Sequence, residues 1–568
     1  MPAARLLRIC SMKKPIALFT IIALSLNSLY AQDKEQTKAL ATFAKVWGFL
    51  KYYHPEVAKG NPDWDKELMR MIPIIKASQT DEAFNKTLTE WYNALPKAKL
   101  SSTITQLQND TIMRVFDEKD IRRFGITGNL QNELTRLYLY HIPDSNKFID
   151  NHYKEIRFDY IYHKEDPLAA PAYPDEVHRL LALFRYWNII NYFYPHKKIN
   201  ASHWNDVLAD FIPRFITAAN ADDYRRTFLM LTAQIKDSHS FYKQQEWNNA
   251  HDRMNAPFTT YYIDGKYFIG DSRYDLLMKQ QDLKVGDEIV SVNSKPVKER
   301  VNELMPFTAG TNQLSVYRNI AGSLFKTDTN HTMPVTIKRQ GSLIEKTIRL
   351  YTWPELNRYS KDHPLKLWEN MGKGIWYVRI CEIENPDTLK KLFTDLQQAK
   401  VVMWDMRSYP KFKVMQVISS GLFAQEPETT VYYNGMLFYP GAFAKHAGLA
   451  YDKLSTSKLL LYKGRMIVLV NEQTQSLAES AAYELRFRPN TIIMGRQTAG
   501  TTGNILFVDY PGGIEASYTA VKTIGLNDSF SEGKGVKIDK KIKLSGDKLL
   551  KYPDYMLEMA YELGLKGL

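Results

Sequence analysis

The stretch that decides the fold runs Met466-Ile467-Val468-Leu469-Val470, then Asn471-Glu472-Gln473-Thr474-Gln475. It continues Ser476-Leu477-Ala478-Glu479-Ser480-Ala481-Ala482-Tyr483-Glu484-Leu485 and closes on Thr491-Ile492-Ile493-Met494-Gly495. The first and last pieces are short, unbroken apolar runs, the pattern of strands buried on both faces. The middle piece has helical composition. Strand, polar turn, helix, strand predicts a parallel pair with a helical crossover. Ser476 falls where the strand hands the chain to a helix N-terminus. Free backbone N–H groups and the positive dipole end collect there, which suits a nucleophile whose attack creates an oxyanion. Ser476-x-x-Glu479 is equally the pattern of a capping box, and the residues alone leave both readings open.

Outward from this unit, 568 residues are too many for one domain, and 44% hydrophobic with 24% charged residues is ordinary globular composition. The 35 tyrosines predict heavy aromatic packing or a surface that contacts peptide or sugar. Arg5, Arg8, Lys13 and Lys14 precede the apolar run Pro15 to Leu29, and Leu29-Tyr30-Ala31 offers a cleavage site before Gln32. This is the grammar of an export signal, so the expected location is periplasmic or extracellular, with no stable membrane span after cleavage. Removing residues 1–31, which hold four basic residues and no acids, lowers the formal charge from +13 to +9. The excess is spread out and forms no long basic block, which argues against nucleic acid as a partner. Of two cysteines only Cys381 would survive cleavage, so neither an intramolecular disulfide nor a cysteine-based metal site is expected. No cofactor is implied.

The N-terminal half carries an internal repeat. Trp47, Pro55 and Trp64 match Trp187, Pro195 and Trp204 at a constant offset of 140. Apolar residues at helical spacing, ended by the prolines, predict a helical hairpin in each copy with the aromatics as core. Short strands or a linker fit Thr111–Phe116 and Ile156–Tyr160. Only the second copy runs into Asp237-Ser238-His239-Ser240, an element its packing does not require.

From about Pro257 the pattern alternates. Leu283-Lys284-Val285-Gly286-Asp287-Glu288-Ile289-Val290-Ser291-Val292-Asn293-Ser294-Lys295-Pro296-Val297 gives a Gly-Asp turn, a strand and a second turn. This resembles a PDZ domain, a small barrel that takes chain ends by adding a strand at its edge. After Leu367, α/β alternation returns: strands at Gly374–Ile380 and Val401–Arg407, a helix at Asp387–Gln397, and a tail containing Ser531-Glu532-Gly533-Lys534-Gly535-Val536.

In this order the pieces resemble the serine peptidase family of C-terminal processing (tail-specific) proteases and tricorn protease, closer to its tricorn-like, interphotoreceptor retinoid-binding protein-like branch. The resemblance spans about residues 175–545. It implies an α/β multidomain chain: a signal at 1–31, an N-terminal helical region at 32–165, and a second hairpin at 166–250. A PDZ-like domain at 258–350 and a crotonase-like (ClpP/crotonase) α/β peptidase core at 360–568 complete it. The processing proteases keep a base lysine after Gly-x-x-Thr-x-Gly. Here Gly495-Arg496-Gln497-Thr498-Ala499-Gly500 is followed by Thr501, which excludes a Ser–Lys dyad. The tricorn-like pattern instead implies Ser476 as nucleophile, His239 as base, and Ser238 and Glu532 holding the imidazole. Leu477 and Lys411 N–H groups would form the oxyanion hole. The family's Asn-x-Gly-Gly is replaced by Tyr409-Pro410-Lys411-Phe412, and Pro410 has no N–H. The expected function is an exported serine endopeptidase acting on peptide or protein tails, with the PDZ-like module assisting. The alternative is a catalytically impaired peptide- or ligand-binding protein on the same fold.

Overall fold

The computed structural model describes residues 15–566 apart from 79, 108–110, 152–160, 167, 169, 201–202, 245–253, 271–272, 426, 449–458 and 527–529. The basic residues ahead of the apolar run, and the strand or linker expected at 156–160, lie outside them. The apolar run itself continues without a break into the first repeated helix, Pro15–Tyr53. Among the described residues no helix is long and apolar enough to cross a membrane.

The repeat is real in three dimensions, and each copy is larger than a hairpin. Trp64–Ala77 and Trp204–Thr217 are both 14-residue helices with an internal proline, Pro73 and Pro213. A further helix follows each, Asp81–Asn93 and Ala221–Thr232. In the first copy, Trp47 Nε1 donates to Trp64 O and Trp64 Nε1 donates to Trp47 O, both at 3.0 Å. Trp187 and Trp204 make the same reciprocal pair at 2.7 and 2.9 Å. An indole buried with its N–H satisfied is stable, and each pair clamps two helices together. The long helices of the two copies cross where Gly48 meets Asn188, positions equivalent by the repeat. A Cβ on Gly48 would lie 1.9 Å from Asn188 Oδ1. Asn188 Nδ2 donates across the crossing to Ala44 O at 3.0 Å. Arg185 of the second copy is ion-paired with Asp65 of the first. One apolar core joins both copies to the strands Ile505–Tyr510 and Ile514–Thr519.

The PDZ-like region is an antiparallel sheet in the order 342–349, 332–339, 288–292, 266–269, 260–263. Its Asn293-Ser294 turn has both residues at positive φ, 52° and 61°, as a two-residue hairpin turn of the primed type demands. Asp287 of the Gly-Asp turn is buried and bonded to Arg339 Nε at 2.7 Å.

The C-terminal core is a six-stranded sheet. Trp368–Asn370 is an antiparallel edge, followed by parallel strands Ile375–Val378, Val401–Asp405, Arg465–Val470, Thr491–Gly495 and Lys540–Lys541. Side-chain alternation splits it cleanly. Val402, Trp404, Met466 and Val468 face the helices Thr388–Asp395, Phe412–Leu422 and Leu477–Leu485. Val401, Met403, Ile467 and Leu469 face the C-terminal helix Tyr555–Leu565. With both faces covered, these strands read as unbroken apolar runs. Ile112–Arg114, within the strand or linker expected at 111–116, pairs with Ala442–Gly448.

Candidate active site

Parallel strands place the loops at their C-terminal ends side by side. Val401–Asp405 and Arg465–Val470 are neighbours, so the N-termini of the helices that follow them share one sheet edge. The loop before Ser476 is pinned there: Thr474 Oγ1 donates to Met406 O at 2.8 Å and accepts from Asn471 N at 3.0 Å.

Ser476 stands at the head of its helix with φ 56° and ψ −118°. A non-glycine residue in that region is strained, by about 1–3 kcal/mol. Its side chain makes no capping bond, so the capping-box reading fails on the serine side. Instead Glu479 is drawn sideways. Its two carboxylate oxygens accept from Gly500 N and Thr501 N, each at 2.8 Å. Burial pushes the Glu479 carboxyl up to about 7, against those N–H bonds. Ser476 N donates to Thr501 O at 2.9 Å, and Ala499 N to Thr474 O at 3.0 Å. The elbow is therefore held on both sides by backbone, and its hydroxyl is left for other work.

The His239 segment reaches this elbow from the second helical copy. Gln475 Nε2 donates to Ser238 O at 3.1 Å. His239 itself is buried, at 3% exposure. Its Nδ1 lies 2.9 Å from Thr519 Oγ1, and Thr519 Oγ1 donates to Asp237 Oδ1 at 3.0 Å. Asp237 also accepts from His239 N and Thr519 N, both at 2.8 Å. The pairing of Tyr242–Gln244 with Ile514–Thr519 is what brings His239 and Thr519 together. Burial holds the imidazole pKa down at about 4; Asp237 opposes this and Arg318 adds to it. At neutral pH the ring is uncharged and able to accept a proton.

Ser238 and Glu532 were expected against the imidazole, and here the structure differs. Neither is hydrogen-bonded to the ring. Ser238 Oγ accepts from Thr311 N at 3.0 Å, and Thr311 Oγ1 is 2.6 Å from Thr501 Oγ1. Thr501 Oγ1 donates to Glu532 Oε1 at 2.6 Å. Thr311 and Thr501 link the two residues into one network, while the imidazole is bonded to Thr519 instead. Burial, with the nearby charge of Asp237 second, pushes the Glu532 carboxyl well above the usual carboxylate range, favouring its neutral form. No hydrogen bond joins His239 to the Ser476 hydroxyl in this resting arrangement. Leu477 opens the helix that follows Ser476, and Lys411 is the N-cap of Phe412–Leu422 without a side-chain cap bond.

The PDZ-like region is wired into the same site. Asn312 Nδ2 donates to Thr498 O and Ala499 O at 2.9 and 2.8 Å. Arg318 donates to Glu472 O and to Gln475 Oε1, both at 2.8 Å. A cleft of about 610 Å³ opens between that region and the His239 loop, lined by Ser238, Phe241, Phe258, Phe307, Arg318 and Gln473 among others. Thr519, Thr311 and Arg318 carry no motif that would mark them in the sequence. Asp237 does, through the Asp-Ser-His element that only the second repeat copy carries. Among the described residues no cluster of His, Cys, Asp and Glu is placed to hold a metal ion.

A strained serine at a sheet-edge elbow, on a mostly parallel core beside a PDZ module, defines a serine-type peptidase, a hydrolase. The family model described as peptidase family S41 matches residues 374–542, and a PDZ domain model matches residues 252–350. Residues 374–542 are therefore a region similar to peptidase family S41, with a PDZ-type region ahead of it. No curated protein matches the sequence. Among solved structures, mature CPAF complexed with lactacystin is 13% identical, with 68% of this chain covering 97% of CPAF at a TM-score of 0.54. A second structure of mature CPAF is 14% identical, covering 68% and 96%, with the same TM-score. A putative peptidase from Parabacteroides merdae is 15% identical, covering 70% and 98%, at a TM-score of 0.42. At such identity the CPAF likeness speaks for the fold.

Proposed function

We propose that this chain is an exported endopeptidase of the tail-specific and tricorn-like type, with Ser476 as nucleophile and His239 as general base. The observation that carries the reading is the backbone of Ser476: a strained φ of 56° that leaves the hydroxyl uncapped at the sheet edge. In the proposed cycle Ser476 Oγ attacks the scissile carbonyl while His239 Nε2 takes its proton. Charge develops on the carbonyl oxygen, for which the Leu477 and Lys411 N–H groups are the candidate donors. The imidazolium then protonates the leaving amine, and water resolves the acyl-enzyme with His239 again as base. Thr519 and Asp237 orient the ring; Ser238 and Glu532 act one step removed. The Ser476–His239 hydrogen bond is expected to form as substrate enters, since such bonds are often long in empty sites.

The substrate class proposed is unfolded peptide or protein tails, entering through the cleft beside Phe241 and Phe258. Export is supported by the basic, then apolar, N-terminal 31 residues. Two measurements test the reading. Incubation of the mature chain with a mixed peptide library, read by mass spectrometry, should give internal cleavages that disappear in Ser476→Ala. A serine-reactive phosphonate should label Ser476 alone. Binding of peptides without turnover or labelling would instead select the impaired-binder alternative. Sequencing of the exported protein should begin at Gln32.

A further inference from the structure

Three buried polar atoms next to the candidate site have no hydrogen-bond partner: His196 Nδ1, His196 Nε2 and Glu532 Oε2. Two of them face each other, with His196 Nε2 3.7 Å from Glu532 Oε2 and both side chains at 3% exposure or less. Leaving such groups unpaired is costly, and native folds seldom do so without a purpose. The repeat says the histidine is not there for packing. The equivalent position in the first copy is Glu56, 37% exposed and paired with Lys59 at the surface.

We propose that His196 and Glu532 form a buried acid–imidazole pair holding a single proton, and that His196 is thereby a positioning residue for the Ser476 elbow. The reading of Ser476 as nucleophile underlies this inference. The path is short. Glu532 Oε1 accepts from Thr501 Oγ1 at 2.6 Å, and Thr501 O accepts from Ser476 N at 2.9 Å. A small rotation of either side chain closes the 3.7 Å gap to O–H···N range. The carboxylic O–H then donates to Nε2, and Oε1 stays free for Thr501. Without His196, the acid O–H must turn toward Thr501, whose hydroxyl then has no acceptor there.

The surroundings favour the neutral form of both partners. Burial lowers the His196 pKa to about 3, with Lys522 and His239 adding to the effect. Burial and the charges of Asp237 and Glu479 raise that of Glu532. Tyr194 packs edge-on to the His196 ring at 5.7 Å between centroids. A neutral pair adds no negative charge beside His239, which separates this arrangement from a carboxylate that directly stabilises the imidazolium.

The test uses the full mature chain labelled with 15N-histidine. Loss of one signal in H196Q assigns His196; H196F supplies the assignment should H196Q not fold. The expected result is a single neutral tautomer that does not titrate between pH 5 and 8 and whose ring nitrogen shifts in E532Q. On a cleaved peptide, H196Q and E532Q should each lower kcat at least tenfold with KM within twofold. The double variant should fall no more than threefold below the poorer single. A His196 ring that titrates near pH 6.5, or that ignores E532Q, overturns the pair. Losses that multiply in the double variant overturn the positioning role. Absence of any wild-type turnover would overturn the peptidase reading, and the NMR result would still decide the pair.

Discussion

His239 Nδ1 lies 2.9 Å from Thr519 Oγ1, and the direction of that bond is fixed by a third residue. The single Thr519 hydroxyl proton is donated to Asp237 Oδ1. Thr519 Oγ1 must therefore accept from Nδ1–H, which leaves Nε2 with its lone pair free. An aspartate thus sets the tautomer of the His239 ring, the proposed base, through an intervening hydroxyl rather than by direct contact.

Thr519→Val keeps the shape and removes the relay. The ring then loses its tautomer preference, and kcat should fall by about 10²-fold with KM little changed. Thr519→Ser should retain most activity. Equal activity in Val and wild-type enzymes, from steady-state kinetics on one cleaved peptide, would remove Thr519 from the mechanism.

The depressed His239 pKa makes a pH prediction. The base must be neutral to act, and it stays neutral down to about pH 4. kcat/KM should therefore hold from neutral pH to near 4 and fall below it, rather than breaking near 6.5. Stability, unlike activity, changes within this window. Between pH 6.5 and 4 the unfolded chain takes up a proton at this residue that the folded chain does not. The contribution of His239 is thus fully present above 6.5 and declines on acidification through that window. Urea midpoints for wild type and His239→Gln at pH 7 and pH 5 measure it. The wild type should lose more on acidification than the variant.

Ser476 carries backbone strain for its position. Ser476→Ala keeps the strain and should lower kcat by about 10⁴-fold or more. Ser476→Gly should be just as inactive yet more stable, by about 1 kcal/mol, because glycine adopts φ 56° freely. Denaturant titration separates the two; a glycine variant no more stable than alanine would mean the backbone is unstrained.

The strand–elbow–helix–strand unit was legible because both faces of the sheet are covered, which makes each parallel strand an unbroken apolar run. The repeat was legible because paired tryptophans clamp each copy at the same spacing. What could not be read was who touches whom between far-apart segments. Ser238 and Glu532 do enter one network, yet Thr311 and Thr501 join them to each other while Thr519 is the residue that meets His239. A threonine in a β-rich stretch has no local signature that sets it apart from any other. Thr519 meets His239 only because Tyr242–Gln244 pairs with Ile514–Thr519, a register no local pattern announces. His196 follows Pro195 with no motif around it, and nothing local announces that it is buried beside Glu532.

Gly48 and Asn188 make the crossing of the two repeat copies testable. Gly48→Ala drives a methyl group to 1.9 Å from Asn188 Oδ1 in a packed interface. Overpacking of this kind costs about 1–3 kcal/mol. Asn188→Gly should relieve the clash and recover part of the loss, since the crossing needs one small residue. Thermal or urea unfolding of the two singles and the double measures the coupling; strictly additive losses would show that the residues do not meet.

The proposed oxyanion hole rests on Tyr409-Pro410-Lys411-Phe412, the segment that departs from the pattern the sequence resemblance implies, and Lys411 tests it. Its side chain is exposed, with Nζ 3.8 Å from Glu384 Oε1. Its backbone, at φ −78° and ψ 130°, caps a helix whose N-terminus shares the sheet edge with Ser476. If the N–H receives the developing charge, Lys411→Ala should leave kcat within about twofold, because the amide survives. Lys411→Pro fits the same φ but deletes the N–H. It should lower kcat by about 10²–10³-fold at nearly constant KM, the cost of one lost oxyanion donor. A proline variant as active as alanine would place the second donor elsewhere along the same edge, and the free N–H groups of the helix that Lys411 caps are the next to substitute.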